Sequence, residues 1–358
     1  MSAEPKLNVL VVDDSAVMRQ MLVKLLEPAG DIATSVAADP VIAMDKMKRL
    51  RPDVIVLDLE MPRMDGLTFL RKVMREDPLP VIVCSGYVGD ASELAIRALE
   101  AGAVDLIAKP KIGLQAFLQE SAMTLVDAIR AAAQSRRPML RARGMSEVQR
   151  RPLRTPPAEA AAARPGAPRL IAMGASTGGT EALRDILEVL PADTCGIAMV
   201  QHMPGQFTPS FAARLNEVCA LEVKEAESGD LILPGRALLA PGDRHMRVVE
   251  RAGTLFVEVT GGPLVSRHRP SVDVLFRSVA ENAGPSAVGV ILTGMGGDGA
   301  AGLLEMRQSG ARTIAQDEAS CVVFGMPREA IRLGAAGEVL SLPQIPMALG
   351  SSGSLRRK

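Results

Sequence analysis

The sequence predicts an α/β protein built as two doubly wound domains, and three observations predict it. Residues 7–130 alternate short β-branched runs with amphipathic stretches of helical period. Across 131–168 that periodicity vanishes into a segment rich in Arg, Ala and Pro. From Leu170 to about Ala348 the alternation resumes. Unbroken apolar runs separated by helical patterns are what parallel strands buried on both faces require.

In the first region Val9–Val12, Val54–Leu57, Val81–Cys84 and Val104–Ile107 read as buried strands. Ala16–Leu26, Val41–Leu50, Leu67–Arg75 and Ser92–Leu99 read as helices between them, and Ile112–Arg130 as the closing helix. The expected boundaries are a first domain at 1–130, a flexible linker at 131–168, a second domain at 169–349 and a tail at 350–358. As a coil, a 38-residue linker would span about 30–37 Å, enough for the domains to separate.

In the second region strands are expected at Leu170–Met173, Ile197–Val200, Leu221–Glu225, Ala237–Ala240, Leu255–Val259, Val288–Leu292 and Thr313–Ala315. Helices are expected at Glu181–Val189, Pro209–Val218, Val272–Asn282 and Ala300–Ser309. Thr208 ahead of Pro209 suggests an N-cap followed by a first-turn proline. Arg247–Glu250 and Phe256–Glu258 flank Ala252 and Gly253, so a hairpin is expected there.

At 47% hydrophobic and 23% charged, the 358-residue chain has ample core for two domains. A formal net charge of zero removes the electrostatic case for a nucleic-acid partner, and no helix-turn-helix pattern follows the linker. Met1–Lys6 shows no signal-peptide pattern, and no apolar run approaches the roughly 20 residues of a membrane span. A cytoplasmic monomer without membrane insertion is expected. Cys84, Cys195, Cys219 and Cys321 are scattered, with no C-x-x-C spacing, and read as reduced thiols.

Asp13 and Asp14 directly follow the first strand, and Asp58 follows Val54–Leu57. The carboxyl ends of parallel strands face one crevice, so three carboxylates would crowd there. Such a trio repels itself unless a cation is present, and hard oxygen ligands suit Mg²⁺. Ser85 and Lys109, after the next two strands, add a hydroxyl and an ammonium. The set makes chemical sense if Asp58 accepts a phosphoryl group. Mg²⁺ and Lys109 would neutralise the transferring oxygens, and Ser85 would hydrogen-bond the product. Singly, each is as readily a surface or capping residue; five at successive strand ends favour the pocket.

Residues 7–130, through VLVVDDS, VIVLDLEMPRMDG and AVDLIAKP, resemble the receiver domain of bacterial response regulators. The resemblance implies a flavodoxin-like fold, Asp58 as phosphoacceptor, and Asp13, Asp14 and the Glu60 backbone carbonyl as further Mg²⁺ ligands. Leu106 stands where many receivers place Tyr or Phe, which puts an aromatic-swing form of signalling in doubt.

Ser176 lies in GASTGG (174–179), between a strand and a helix. Glycines permit the tight turn, and the helix N-terminus favours developing negative charge. That motif alone equally suits a phosphate or dinucleotide cradle. His202, one of three histidines with His245 and His268, ends another apolar run, and Asp298 sits in GMGGDG (294–299). A lone histidine is more often structural, and a glycine-flanked aspartate often merely turns the chain. Together the three supply a nucleophile, a base and an orienting carboxylate for acyl transfer. The backbone N–H groups of the Thr177 and Met295 turns are candidate oxyanion donors. No local ligand spacing supports zinc, and the absence of G-x-S-x-G makes the α/β-hydrolases a poor match.

MGASTGGTEAL, VQHMPGQFTPSFAARLN, SRHRPSVDVLF, LTGMGGDGAAGL and AQDEASCVVFGMPREA together resemble the catalytic domain of chemotaxis protein-glutamate methylesterases, over Leu170 to about Leu342. The resemblance implies a Rossmann-like, mostly parallel sheet. It also implies hydrolysis of glutamate γ-methyl esters on chemoreceptors, glutamine deamidation, and a chemotaxis histidine kinase as phosphodonor. Within SRHRP (266–270), Arg267 and His268 are expected to line the substrate cleft. Two alternatives stay open: a receptor-docking regulator that competes for phosphate, and the same esterase serving a receptor array outside chemotaxis.

Overall fold

The first strand, β1 (Leu7–Val12), buries its last four residues completely or nearly so. In the computed structural model, which describes residues 6–62, 64–86, 90–110, 115–135 and 168–350, it belongs to an all-parallel five-stranded sheet. The elements follow as α1 (Ala16–Leu26), β2 (Ile32–Ala37), α2 (Pro40–Arg49), β3 (Val54–Leu57), α3 (Gly66–Glu76), β4 (Val81–Ser85), α4 (Asp90–Glu100), β5 (Asp105–Ala108) and α5 (Gln115–Gln134). Strand order is β2-β1-β3-β4-β5, so the winding reverses between β1 and β3. Ser15, Asp39 and Asp65 start α1, α2 and α3, their side chains accepting from Met18, Ile42 and Thr68 N–H. One core layer gathers Val9, Val11, Val54, Val56 and Ile82 against Leu125 and Ile129 of α5.

Two differences from the sequence reading appear here. The edge strand β2 lacks the buried run expected of a strand because only its two ends are buried. Helix α5 continues to Gln134, so Ala131–Gln134 are helical rather than linker. Buried Ala131 and Ala132 carry the packing on. Residues 136–167, the body of the expected linker, lie outside the described residues, as do 351–358 of the expected tail. The chain divides into two compact units after Ser135.

The second unit runs β6 (Leu170–Ala175), α6 (Gly179–Leu187), β7 (Gly196–Gln201), α7 (Thr208–Val218), β8 (Glu222–Glu225), β9 (Arg236–Leu239), β10 (His245–Arg251), β11 (Thr254–Thr260), α8 (Val272–Asn282), β12 (Ala287–Ile291), α9 (Ala300–Gln308), β13 (Arg312–Gln316), α10 (Met326–Arg332), β14 (Glu338–Leu340) and α11 (Gln344–Gly350). Seven strands form one parallel sheet in the order β14-β13-β12-β6-β7-β9-β8, and β10 with β11 makes the expected hairpin. The winding reverses between β6 and β12, and such a switch point opens a crevice at the carboxyl ends of the strands. Leu275, Phe276 and Val279 of α8 are wholly buried in the core cluster that includes Met246 and Val248 of β10 and Leu303 of α9. At about 1.5–3 kcal/mol for each large apolar side chain buried, that face anchors the helix whose N-terminus meets the crevice. Thr208 is the first helical residue of α7 rather than its cap, and its hydroxyl donates to Glu225 and Gly205.

Candidate active site

Strands β6, β7 and β12 lie side by side, with Ala175 opposite Gln201 and Gly174 opposite Ile291. The chain therefore leaves the sheet at Ser176, His202 and the 293–299 loop in one place. The Ser176 turn is pinned from three sides. Its N–H donates to Thr293 O (3.0 Å), and its carbonyl accepts from Gly179 N (2.7 Å) and the Gln201 side-chain amide (2.9 Å). Gly294 packs so tightly that a Cβ there would lie 2.6 Å from Ser176 Cβ and 2.4 Å from Met326 Sδ. Gly294→Ala should therefore shift Ser176 and lower turnover about a hundredfold, the typical effect of a 1 Å misplacement. A kinetic comparison at unchanged circular dichroism checks this, and near-normal turnover would refute it.

His202 Nε2 donates to Asp298 Oδ2 at 2.8 Å. Its Nδ1 is buried and has no partner among the described residues. With the proton on Nε2, Nδ1 is the free base. Asp298 is 2% exposed and accepts three more hydrogen bonds, from Ser271 Oγ (2.7 Å), Val272 N (2.7 Å) and Asp273 N (3.1 Å). Two of these are the orphan N–H groups at the start of α8, which Ser271 also caps. Burial alone would raise the Asp298 carboxyl, but the His202 bond and these donors outweigh it and hold it below the usual range.

Thr177 and Met295, the expected oxyanion donors, sit on two turns that Thr293 ties together. Its hydroxyl donates to Thr177 O at 3.0 Å and accepts from Val323 N at 2.9 Å. Gln316 Oε1 in turn holds Thr293 N at 2.8 Å. Arg267 is exposed, whereas His268 stacks on His202 with ring centroids 3.7 Å apart. The third histidine is structural: buried His245 accepts from Ser271 N–H at Nδ1 and donates to Pro263 O at Nε2.

In the first unit the residues expected at strand ends also converge. Single carboxylate oxygens of Asp13, Asp14 and Asp58 lie within 4.8 Å of one another. The donor set is all oxygen, which suits a hard cation such as Mg²⁺. Lys109 Nζ approaches Asp58 Oδ2 at 2.7 Å and Asp13 Oδ2 at 3.1 Å. Burial raises the Asp58 carboxyl, Lys109 opposes that, and Asp13 adds to it. Burial also works against the Lys109 charge, but the two aspartates more than offset it and raise the amine. Ser85 is buried at the end of β4, and its carbonyl accepts from Lys109 N at 2.9 Å. Glu60 N donates to Asp58 Oδ1 at 3.2 Å, placing its peptide beside the pocket. Gly66 is required here, since a Cβ would meet Asp58 O at 2.2 Å.

A family model described as CheB methylesterase matches residues 171–349, and one described as response regulator receiver domain matches 9–119. "Protein-glutamate methylesterase/protein-glutamine glutaminase 1" of Anaeromyxobacter dehalogenans is 58% identical over 96% of this chain and 98% of its own. The chain belongs to the CheB methylesterase family. A Chromobacterium violaceum relative with the same activities in its name is 55% identical over 96% of this chain and 99% of its own. The CheB methylesterase catalytic domain of Thermotoga maritima, at 39% identity and a TM-score of 0.50, covers 52% of this chain and 98% of that one.

Several residues of this CheB site escape a reading of the sequence. Ser271, Thr293 and Gln201 carry no reactive chemistry of their own, yet they orient Asp298, the Thr177 turn and the Ser176 turn. A signal existed only for Ser271, a serine before an apolar helical run with Asp273 in its first turn. Arg19 is another, its guanidinium donating to the carbonyls of Asp13 (2.7 Å) and Asp14 (2.9 Å).

Proposed function

We propose that this chain is a phosphorylation-activated serine esterase. It hydrolyses glutamate γ-methyl esters on chemoreceptors, releases methanol, and deamidates receptor glutamines. The observation that carries this reading is the His202 ring, bonded through Nε2 to Asp298 with buried Nδ1 left unpaired, on a residue whose N–H donates to Ala175 O next to Ser176 (3.0 Å). The full-length relatives that share both domains carry these two activities in their names.

Ser176 Oγ attacks the ester carbonyl while His202 Nδ1 takes its proton. Asp298 holds the imidazole in the tautomer that makes this possible and stabilises the imidazolium. Backbone N–H groups of Thr177 and Met295 receive the oxyanion; one such donor contributes about 3 kcal/mol. His202 returns the proton to the departing methoxide, giving methanol and an acyl-enzyme. Water, activated by the same nitrogen, then frees Ser176 and a receptor glutamate. With glutamine, ammonia leaves instead.

Asp58 accepts the phosphoryl group from a chemotaxis histidine kinase. Asp13, Asp14, Asp58 and the Glu60 carbonyl would hold Mg²⁺, which would supply positive charge to the transferring oxygens. Lys109, already between Asp13 and Asp58, shares that neutralisation, and Ser85 hydrogen-bonds the phosphoryl product. Among the described residues no helix is long and apolar enough to cross a membrane, and the substrate is reached at the cytoplasmic part of the receptor.

Methanol released from methyl-labelled chemoreceptor membranes tests the reading, with and without a small-molecule phosphodonor and Mg²⁺. Release should vanish in Ser176→Ala and should rise with phosphodonor in wild type but not in Asp58→Ala. Release that survives loss of Ser176 would end the serine mechanism, and a phosphodonor response without Asp58 would end the switch.

A further inference from the structure

A single hydrogen bond, Nε2 to Asp298 Oδ2, fixes the His202 ring, because Nδ1 has no partner among the described residues. One bond leaves the ring free to pivot about its own axis, and a pivot would change where Nδ1 points. A second ring blocks that motion. His268 lies face to face with His202, centroids 3.7 Å apart and planes 10° from parallel.

His268 is itself firmly held. Val265 and His268 exchange backbone hydrogen bonds of 3.1 and 2.9 Å. The two residues between them, Ser266 and Arg267, both take positive φ, 50° and 69°. Side chains seldom adopt that backbone, so the turn bears strain to present the imidazole where it does. Ser266 Oγ donates to Asp273 Oδ2 at 3.1 Å, tying the turn to the first turn of α8, whose N–H groups hold Asp298. The clamp and the orienting carboxylate thus share one support.

We propose that His268 is a positioning residue that sets the plane of the His202 imidazole by ring stacking, rather than a contact to substrate. Burial above all pushes the His268 imidazole down to about 3, with His202 acting the same way and Asp298 opposing. His268 therefore stays uncharged when His202 takes up the serine proton, and a neutral ring does not repel the new imidazolium. The kinetic consequence rests on the esterase reading of Ser176; the ring clamp does not.

The full chain with His268→Phe and His268→Ala tests this in two ways. In methanol release from labelled receptor membranes, Phe should keep kcat within about twofold, while Ala should lower kcat about tenfold with KM nearly unchanged, in line with the loss of one ring pair. A KM increase at constant kcat would instead make His268 a substrate contact, and Phe failing as badly as Ala would show that its nitrogens are needed. With only three histidines, nitrogen-15 histidine labelling gives an independent readout. The His202 Nε2–H resonance should remain sharp in Phe and broaden in Ala. If wild type released no methanol, the esterase reading would fail, and the resonance alone would still decide the clamp. A sharp Ala signal overturns it.

Discussion

Asp298→Asn should lower ester hydrolysis by about ten-thousandfold, the loss expected when the orienting acid of such a triad no longer sets the tautomer. The side-chain amide of Asn would donate to His202 Nε2 and force its proton onto Nδ1, which removes the base proposed for Ser176. The same change should destabilise the second unit. Val272 N bonds Oδ2 and Asp273 N bonds Oδ1, so an asparagine with one carbonyl oxygen cannot serve both ends of the helix start. Leaving one of these buried N–H groups unpaired costs about 1–3 kcal/mol. The sign with pH follows from the lowered carboxyl. Its stability contribution is present above the usual carboxylate range and is lost as pH falls through its folded value. Wild type should therefore lose its advantage over Asn in acid. Adding Asn to Ser176→Ala should cost almost no further activity, since the two act as one unit. Retention of a tenth of normal turnover by Asn would refute the assignment of Asp298.

What made parts of this protein legible in the sequence is local. β3 is buried at all four positions, and its expected span Val54–Leu57 agrees with the structure to the residue. So does that of α8, which has a serine cap and a deeply buried face. β2 and β14 were not legible, because an edge strand keeps only part of its surface covered: Val339, the middle of β14, is 48% exposed. The candidate reactive residues stood out by their chemistry at strand ends. Their supports did not, since Thr293 and Thr177 meet across 116 residues and Ser271 reaches Asp298 across 27. A hydroxyl in either place looks the same in sequence whether it faces water or a catalytic loop. The sequence raised His268 only as an expected cleft residue, and its stacking partner is visible only in three dimensions.

Mg²⁺ should protect β3 from hydrogen exchange in the wild-type chain and do so far less in Asp58→Asn. An ion bound only by the folded receiver adds about 2.7 kcal/mol at a hundred times its dissociation constant, which slows exchange through global opening about a hundredfold. Without Mg²⁺ the order should reverse. Buried Asp58 has a raised carboxyl, so the folded state favours its protonated form, and stability falls as pH rises from the usual carboxylate value through the folded one. A neutral Asn escapes that loss. Lys109 keeps Asp13 as a partner at 3.1 Å, so removing the Asp58 charge does not strand a buried cation. Hydrogen exchange is the suitable probe because the chain has no Trp and a single Tyr, and because it resolves the first unit from the second where a melting curve would merge them. Wild type and Asn gaining equal protection from Mg²⁺ would mean that Asp58 is not a ligand. Asn being less stable in the absence of the ion would mean that the Asp58–Lys109 bond outweighs the crowding of carboxylates. The expected inversion would instead mark the pocket as one whose like charges are tolerated for the sake of the cation and the phosphoryl group.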